Sequence, residues 1–281
     1  MKINRIHNKL DLTNNGDLEI VFIGCGNAFD KTFHNNNIII IKGNTHILVD
    51  FGFNAPYGLQ KNTKLELYDI ETILPTHSHA DHIGGIELLA LTNKYFSIQK
   101  YNKNKLKMII TKEYKDTLWN YSLKGGLSFN EFNSYDYYLN FEDYFDEIEP
   151  VLIQSEKRKK YYIEFDGIKL EIFRTNHIPD TQQHINGAFV SYGLWIDNKI
   201  LFTGDTKFDK DLIEDYGDRA EYIFHDCSFT PNPVHCSLNE LKTLEKKYKD
   251  KILLMHYSDD FYSYDYSDFY GLAKEGYRYI F

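Results

Sequence analysis

Cysteine is scarce in this chain of 281 residues, which has only Cys25, Cys227 and Cys236. An odd and sparse set does not make a disulfide framework, so the reducing cytosol is the expected compartment. The sequence also lacks any apolar run near the ~20 residues that a membrane-spanning helix needs. The N-terminal segment 1–20 carries positive charge with no apolar stretch after it, so we expect no signal peptide.

Basic residues are in deficit as well. The 32 Lys and Arg residues against 41 Asp and Glu residues give a formal net charge of −9 at pH 7. Binding of a long nucleic acid is driven by Lys and Arg clusters, so this balance argues against a nucleic-acid polymer as the main partner. It does not exclude a small phosphate ester, which a metal could hold. No linker rich in Pro, Gly or Ser is found, and we expect a single domain over residues 1–281.

Apolar runs of strand length recur along the chain and alternate with helical patterns. The predicted strands are Leu18–Gly24, Asn37–Lys42, His46–Phe51, Ile70–Leu74, Leu106–Thr111, Ile168–Phe173, Ala188–Asp197, Lys199–Thr203, Glu221–Phe224 and Lys251–Met255. Helices are predicted over Ile83–Tyr95 and Leu238–Tyr248, with a final helix and strand near Phe281. This order predicts an α/β fold, an αββα sandwich of two packed mixed β-sheets with helices outside.

The segment 112–160 stands apart because it is long, acidic and aromatic. We expect an insertion of helices and loops that covers a pocket or forms a dimer contact, and a solvated surface element is an equal alternative. The basic run Glu156–Lys160 at its end is more typical of a charged hairpin tip than of a nucleic-acid patch. Among its many tyrosines, Tyr121, Tyr137 and Tyr144 are candidates for stacking on a base.

A dense group of potential metal ligands follows the predicted strand Ile70–Leu74. His77 and His79 are alternate residues at a strand end, so they point the same way. Asp81 and His82 can turn towards a second point once the chain enters a helix. Imidazole and carboxylate ligands together favour Zn²⁺, with Mn²⁺ or Fe as alternatives. Four ligand-type residues so close together predict two adjacent cations rather than isolated histidines of the core or surface.

Two adjacent ions need about three further protein ligands. Three candidates each lie just past a predicted strand: His177, Asp205 and His256. Gly204 allows the backbone to turn sharply and expose the Asp205 carboxylate, which can bridge both ions. His184 lies in the same loop as His177 and is its rival, and His177 is preferred because it is closer to its strand.

The order of these motifs resembles that of the metallo-β-lactamase fold superfamily over nearly the whole chain. By this resemblance, one metal would be held by His77, His79 and His177. The other would be held by Asp81, His82 and His256, and Asp205 would be shared by both. Phe22–Gly26 and Leu48–Gly52 are similar to the opening glycine turn and the second strand motif of that superfamily. Within the latter, Asp50 is expected to be a structural carboxylate near the site rather than a ligand.

A narrower resemblance links His225–Phe229 and Val234–Leu238 to the ribonuclease Z-like branch. It implies that His235 is the general acid for the leaving group and that Asp226 orients it, with Asp81 counted among the catalytic residues. Phosphodiester cleavage expels an alkoxide, which benefits from such a proton donor. A simple helix-entry role for His235 is the alternative.

The tRNA-processing members of this branch carry an arm that grips tRNA, in many members after the third histidine motif. Only Ile178–Thr203 separates His177 from the Asp205 strand here, which leaves no room for it. Leu118–Gly126 and Leu139–Phe145 look most like the small cyclic-nucleotide phosphodiesterases of this branch, the phage anti-Pycsar type. That resemblance implies hydrolysis of 3′,5′-cyclic nucleotides to nucleoside monophosphates with two divalent ions, Zn²⁺ or Mn²⁺, by a homodimer. The cyclic pyrimidine signals of anti-phage defence are among the substrates that it implies.

Three other functions remain open on the sequence. A tRNA 3′-processing endonuclease and a superfamily hydrolase acting on thioesters or lactams would both keep the metal ligands, although the latter group generally lacks the His235 and Asp226 pair. A non-catalytic metal-binding protein is the third. Structural zinc sites are usually closed and rich in Cys, whereas this set is His and Asp, so the third is least favoured.

Overall fold

The computed structural model describes residues 1–135, 137–179 and 189–281, and the chain forms two compact units. The first unit comprises Met1–Ile23, Asn37–Pro150 and Gly276–Phe281, and the second comprises Gly24–Asn36 and Val151–Glu275. Each unit is built around one mixed β-sheet that carries helices. Among the described residues, no helix combines the length and the apolar character needed to cross a lipid bilayer.

Most strands are short. In chain order, the strands of the described residues are β1 (Lys2–Arg5), β2 (Glu19–Phe22), β3 (Ile38–Lys42), β4 (Thr45–Val49), β5 (Thr72–Leu74), β6 (Leu106–Ile109), β7 (Phe145–Ile148), β8 (Val151–Gln154), β9 (Lys160–Phe165), β10 (Ile168–Arg174), β11 (Tyr192–Ile196), β12 (Ile200–Phe202), β13 (Tyr222–Asp226), β14 (Ile252–Met255), β15 (Gly271–Leu272) and β16 (Tyr277–Ile280).

The helices are short as well. The α-helices are α1 (Ala55–Thr63), α2 (Ala80–Ile83), α3 (Ile86–Thr92), α4 (Ile98–Tyr101), α5 (Lys112–Leu118), α6 (Lys124–Leu127), α7 (Lys210–Tyr216), α8 (Leu238–Lys242) and α9 (Lys246–Lys249). Wider π-helical turns at Asn93–Ser97 and Trp119–Leu123 join α3 to α4 and α5 to α6. Single 3₁₀ turns occur at Leu67–Asp69, Ser128–Asn130, Phe141–Asp143 and Phe261–Ser263.

The sheet of the first unit has the order β1-β16-β2-β3-β4-β5-β6-β7. Pairing is antiparallel from β1 to β4 and parallel from β4 to β7. The isoleucines of β3 are buried on both faces, which explains why this strand reads as a continuous apolar run rather than an alternating one. Because β4 and β5 are parallel neighbours, Asp50 and His77 follow them at the same edge of the sheet.

The sheet of the second unit has the order β15-β14-β13-β12-β11-β10-β9-β8. Pairing is antiparallel from β8 to β12 and parallel from β12 to β15. The three parallel strands β12, β13 and β14 therefore end at one edge. Asp205 follows the first of them, Asp226 ends the second, and His256 follows the third. The parallel arrangement brings these three residues to the same edge of the sheet.

Each predicted strand overlaps an observed strand, with ends shifted by one to a few positions. The predicted start of Ala188–Asp197 lies partly outside the described residues, and the strand found there is Tyr192–Ile196. The predicted helix Ile83–Tyr95 begins later, at Ile86, because Gly84 and Gly85 end the preceding turn. The predicted helix Leu238–Tyr248 is interrupted between Lys242 and Lys246, where Glu245 adopts an extended ψ of 146°.

Three expectations near the insertion and the C-terminus were wrong. The segment 112–160 contains strands β7 and β8 as well as helices and loops, since its apolar runs pair with existing sheet edges. The final helix before Phe281 is only the 3₁₀ turn Phe261–Ser263. Tyr144 is 1% exposed and donates a hydrogen bond to the Leu127 carbonyl at 2.8 Å, so its ring is not available to stack on a base.

Gly204 occupies a position that tolerates no side chain. Its φ is +58°, and a Cβ atom built there would lie 2.3 Å from the Tyr192 carbonyl oxygen. Gly43 has almost the same φ of +59° but open space around it. We expect Gly43→Ala to lower the free energy of unfolding by about 1–2 kcal/mol, the cost of left-handed backbone. Gly204→Ala should lower it by about 3 kcal/mol or more, because overpacking is added.

Urea unfolding of both variants measures the difference. Equal losses in the two variants would show that the contact with Tyr192 carries no cost and that only the backbone conformation matters.

Candidate metal centre

The histidine cluster of the first unit lies between β5 and α3. His77 follows β5, and His79 is the residue that precedes α2. Asp81 and His82 lie within α2, and both are buried, as is His77. Buried imidazole and carboxylate groups are costly unless they are paired or hold a metal. The burial of this cluster therefore needs specific partners.

Asp50 supplies several of these partners. Its Oδ1 accepts a hydrogen bond from the Thr76 N–H at 2.6 Å, and its Oδ2 accepts one from the Thr76 hydroxyl at 2.7 Å. Oδ2 also lies 2.7 Å from Nδ1 of His82. The His82 Nδ1–H donates here, which directs Nε2 to the opposite side of the ring, 3.3 Å from Oδ2 of Asp81. Asp50 is thus the structural carboxylate that the sequence indicated.

The same hydroxyl fixes the orientation of His77. Since the Thr76 hydroxyl proton goes to Asp50, its oxygen accepts from Nδ1–H of His77 at 3.0 Å. Nε2 of His77 then carries its lone pair, and it lies 2.9 Å from Nδ1 of His79. Two ring nitrogens this close can both reach one ion, because Zn–N bonds are about 2.0–2.1 Å long.

Close backbone packing holds this loop beside the end of β4. The Phe51 N–H donates to the His82 carbonyl at 2.6 Å, and the Gly85 N–H donates to the Phe51 carbonyl at 2.8 Å. A Cβ atom at Gly85 would lie 2.7 Å from the Gly52 carbonyl oxygen, so only glycine permits the approach. Asn37 joins the same two segments, because its amide accepts from the Gly52 N–H at 2.9 Å and donates to the Asp81 carbonyl at 3.3 Å.

Asp205 is the centre of the second unit's cluster. Nε2 of His256 lies 3.5 Å from Oδ2 of Asp205, and Nε2 of His177 lies 3.9 Å from the same atom. These separations are too long for hydrogen bonds. They suit donors arranged around an ion, since bonds of about 2.0–2.2 Å place ligand atoms roughly 3–4 Å apart. A hydrogen bond on the opposite side of the ring orients His177, because its Nδ1 donates to the Val234 carbonyl at 2.8 Å.

Asp226 and His235 form a close pair beside this cluster. Nδ1 of His235 lies 2.8 Å from Oδ2 of Asp226, and the Thr206 N–H donates to the same oxygen at 3.0 Å. Oδ1 of Asp226 lies 3.3 Å from Nδ1 of His256. One ligand-type atom from each of Asp205, Asp226, His235 and His256 lies within 4.8 Å of the others. The His235 side chain is 18% exposed, whereas that of His256 is 2% exposed.

Burial and charge separate the pKa values of these histidines. Burial lowers the pKa of His177 to about 4, so its imidazole is neutral at pH 7 and can ligate a metal. Burial is the largest single effect on the pKa of His235 and lowers it, but the charge and hydrogen bond of Asp226 together with the charge of Asp205 outweigh burial, so the pKa lies above its ordinary value. Burial alone would raise the pKa of Asp226, and the hydrogen-bonded His235 instead brings it below its ordinary value.

The donor set is that of a divalent-metal site. It consists of imidazole nitrogens and carboxylate oxygens without a cysteine, which suits Zn²⁺ and also Mn²⁺ or Fe²⁺. All seven residues predicted as ligands are described and lie at strand ends or at the start of α2, within their own unit. His184, the rival of His177, falls outside the described residues.

Sequence reasoning missed the groups that orient these side chains. The Val234 carbonyl behind His177 and the hydroxyl of Thr76 between Asp50 and His77 left no signal, because a backbone carbonyl or a hydroxyl has no distinctive pattern. Tyr114 of α5 was also missed, although its hydroxyl lies 3.0 Å from that of Ser78, within the histidine motif.

The fold defines the class of the protein. The metallo-β-lactamase fold protein YhfI from Bacillus subtilis superposes with a TM-score of 0.70 over 94% of this chain and 100% of its own, at 15% sequence identity. This chain therefore has the metallo-β-lactamase fold, as the histidine and aspartate motifs predicted, with two mixed sheets and their helices.

The family follows from the sequence. The family model described as anti-Pycsar protein Apyc1 matches residues 18–279. The anti-Pycsar protein Apyc1 of Paenibacillus xerothermodurans is 35% identical over 246 residues, which are 86% of this chain and 89% of that protein. The one of Bacillus phage BSP38 is 33% identical over 244 residues, 86% and 90% of the two chains. This chain belongs to the anti-Pycsar Apyc1 family.

Asp50→Asn tests the orientation of His82. The amide keeps the size of the side chain but loses an acceptor oxygen, so the Nδ1–H of His82 is held less firmly. Mutation of a residue that hydrogen-bonds to a metal ligand typically lowers metal affinity about 10- to 100-fold. We expect Zn²⁺ affinity, measured by competition with a chelator, to fall by that amount. Asp17→Asn, at an exposed aspartate, is the control. Equal Zn²⁺ affinity in the wild-type protein, Asp50→Asn and Asp17→Asn would contradict a role for Asp50 at the metal.

Proposed function

We propose that this chain is a two-metal phosphodiesterase that hydrolyses 3′,5′-cyclic nucleotides to nucleoside monophosphates. Family membership supports this reaction class, since the relatives are named anti-Pycsar proteins. Cyclic pyrimidine nucleotides, the signals indicated by the sequence resemblance, are the first candidate substrates. The observation that carries the proposal is the His235–Asp226 pair, a proton donor beside the buried Asp205 and His256.

The proposed ligands of the two ions are those of the family pattern. His77, His79 and His177 would hold one ion, Asp81, His82 and His256 the other, and Asp205 both. Zn²⁺ is the proposed metal, with Mn²⁺ as a second. When bound, such ions would activate water and neutralise charge on the phosphoryl oxygens. Asp50, Thr76 and Val234 keep the imidazoles in the tautomers that ligation requires.

His235 supplies the proton that the reaction must deliver. Its Nδ1 is engaged by Asp226, which leaves Nε2–H to protonate the departing 3′-oxygen. The raised pKa of His235 favours the protonated ring, and its partial exposure gives the substrate access. Asp226 orients the ring and stabilises its cationic form, while Asp81 remains both a proposed ligand and a proposed catalytic residue. A homodimer is proposed from family membership alone.

The first experiment is hydrolysis of a panel of 3′,5′-cyclic mononucleotides by the purified protein with added Zn²⁺ or Mn²⁺. We expect turnover to a nucleoside monophosphate, and we expect His79→Ala to abolish it because a ligand is lost. His7→Ala, at an exposed histidine, is the matched control and should retain full turnover. The metal content of each protein is measured alongside.

Absence of turnover on every cyclic nucleotide, with metal bound, would overturn the cyclic-nucleotide assignment. Precursor tRNA and thioester substrates, tested in the same series, would then show which alternative holds. Turnover that survives in His79→Ala would instead contradict the ligand assignment.

His235→Ala tests the general acid. An alkoxide leaving group needs a proton, so turnover of a cyclic nucleotide should fall about 10²- to 10⁴-fold. Bis(p-nitrophenyl) phosphate expels a stable phenolate, and its turnover should fall less than about tenfold. Equal losses on both substrates, with metal content unchanged, would show that His235 does not act as the acid.

A further inference from the structure

Arg158 lies in the basic run that the sequence suggested was a charged hairpin tip. That expectation fails at this residue, because Arg158 is 4% exposed whereas Lys157 beside it is exposed. Its Nη2 donates to Oδ2 of Asp209 at 2.6 Å, and its Nη1 donates to the Arg174 carbonyl at 2.5 Å. The side chain of Asp209 is only 9% exposed. A buried guanidinium with these two hydrogen bonds fixes the positions of its two acceptors.

Both acceptors of Arg158 lie on segments that carry proposed ligands. Arg174 ends β10, three positions before His177. Asp209 stands four positions after Asp205 and caps α7, since its Oδ1 accepts from the Leu212 N–H at 3.0 Å. The Arg158 guanidinium thus binds the segment that precedes His177 and the segment that follows Asp205.

The two ligand segments are also hydrogen-bonded directly to each other. The Thr175 hydroxyl donates to the Asp205 carbonyl at 2.8 Å. The Lys207 N–H donates to the Asn176 carbonyl at 2.7 Å. These bonds lie between the two anchor points of Arg158. Residues 174–177 and 205–209 are therefore tied to each other both by direct hydrogen bonds and through Arg158.

We propose that Arg158 is a positioning residue that sets the separation of His177 and Asp205 and thereby the affinity of the metal that they share. The proposal rests on the proposed function, in which these two residues ligate one ion. A planar guanidinium presents two donors in a fixed geometry, so it can satisfy a carboxylate and a carbonyl at once. A lysine ammonium is a point charge on a flexible stem and holds the two acceptors less precisely.

The test compares Arg158→Gln, Arg158→Lys and Asp209→Asn in the full chain. Asp209→Asn removes the charge of the ion pair and retains an oxygen that can cap α7. Zn²⁺ affinity is measured by chelator competition, with thermal unfolding of the metal-free protein recorded beside it. We expect Arg158→Gln to weaken Zn²⁺ binding about 10- to 100-fold. The Zn²⁺ affinities of Arg158→Lys and Asp209→Asn should lie between those of the wild-type protein and Arg158→Gln.

Two controls separate positioning from a general loss of stability. Lys157→Gln changes the neighbouring exposed charge and should leave both readouts unchanged. Tyr216→Phe removes the buried hydroxyl of α7 that contacts Glu171 of β10, a contact that involves neither residues 174–177 nor residues 205–209. It should lower the unfolding temperature and leave Zn²⁺ affinity unchanged.

The outcomes are decisive in each case. Zn²⁺ affinity equal to wild type in folded Arg158→Gln would overturn the proposal. If that variant does not fold, unchanged affinity in both Arg158→Lys and Asp209→Asn overturns it. A similar loss of affinity in Tyr216→Phe would show that Arg158 contributes only stability. Failure of the wild-type protein to bind Zn²⁺ or Mn²⁺ would instead count against the proposed function, so the two failures are distinct.

Discussion

The burial of imidazole rings at strand ends is the constraint on which the rest of each cluster depends. A histidine can offer one nitrogen to a metal only if its other nitrogen is satisfied inside the protein. In the first unit Asp50 and Thr76 meet this need for His82 and His77. In the second unit a backbone carbonyl, that of Val234, meets it for His177. The loops are built around these bonds, because a misplaced partner would leave a buried polar group unpaired.

Backbone strain at two of these positions follows from the same constraint. Asp50 has a φ of +61° and His256 a φ of +59°, although neither is glycine. Such conformations cost of order 1–3 kcal/mol and persist only where the surroundings fix them. Each residue directly follows a buried strand, β4 or β14, and must turn its side chain towards the sheet edge within one position. Hydrogen bonding of Asp50 to Thr76 and His82 offsets this cost in the first unit.

The sequence predicted the fold and the candidate ligands because both leave periodic or compositional signals. Buried strands read as apolar runs, and a ligand that follows a strand stands out as a polar residue at the end of such a run. The burial of Arg158 could not be predicted, because a basic run is usually exposed. Its partners, Asp209 and the Arg174 carbonyl, are distant in sequence. Strands β7 and β8 were missed for a related reason, since the exposed residues of β8 lack the alternation of a half-buried strand.

Environment, rather than residue type, distinguishes the two proposed roles of the histidines in the second unit, metal ligand and general acid. The side chain of His177 is fully buried next to a carbonyl, so burial dominates and the ring stays neutral, as a ligand must. His235 lies at the edge of the same cluster with Asp226 at 2.8 Å, and the charge and hydrogen bond of Asp226 together with the charge of Asp205 outweigh burial, so the pKa is raised, which favours the proton that the proposed acid needs. The proposed mechanism therefore depends on Asp226, at the end of β13, bonding to His235, while Nδ1 of His177 bonds to the Val234 carbonyl.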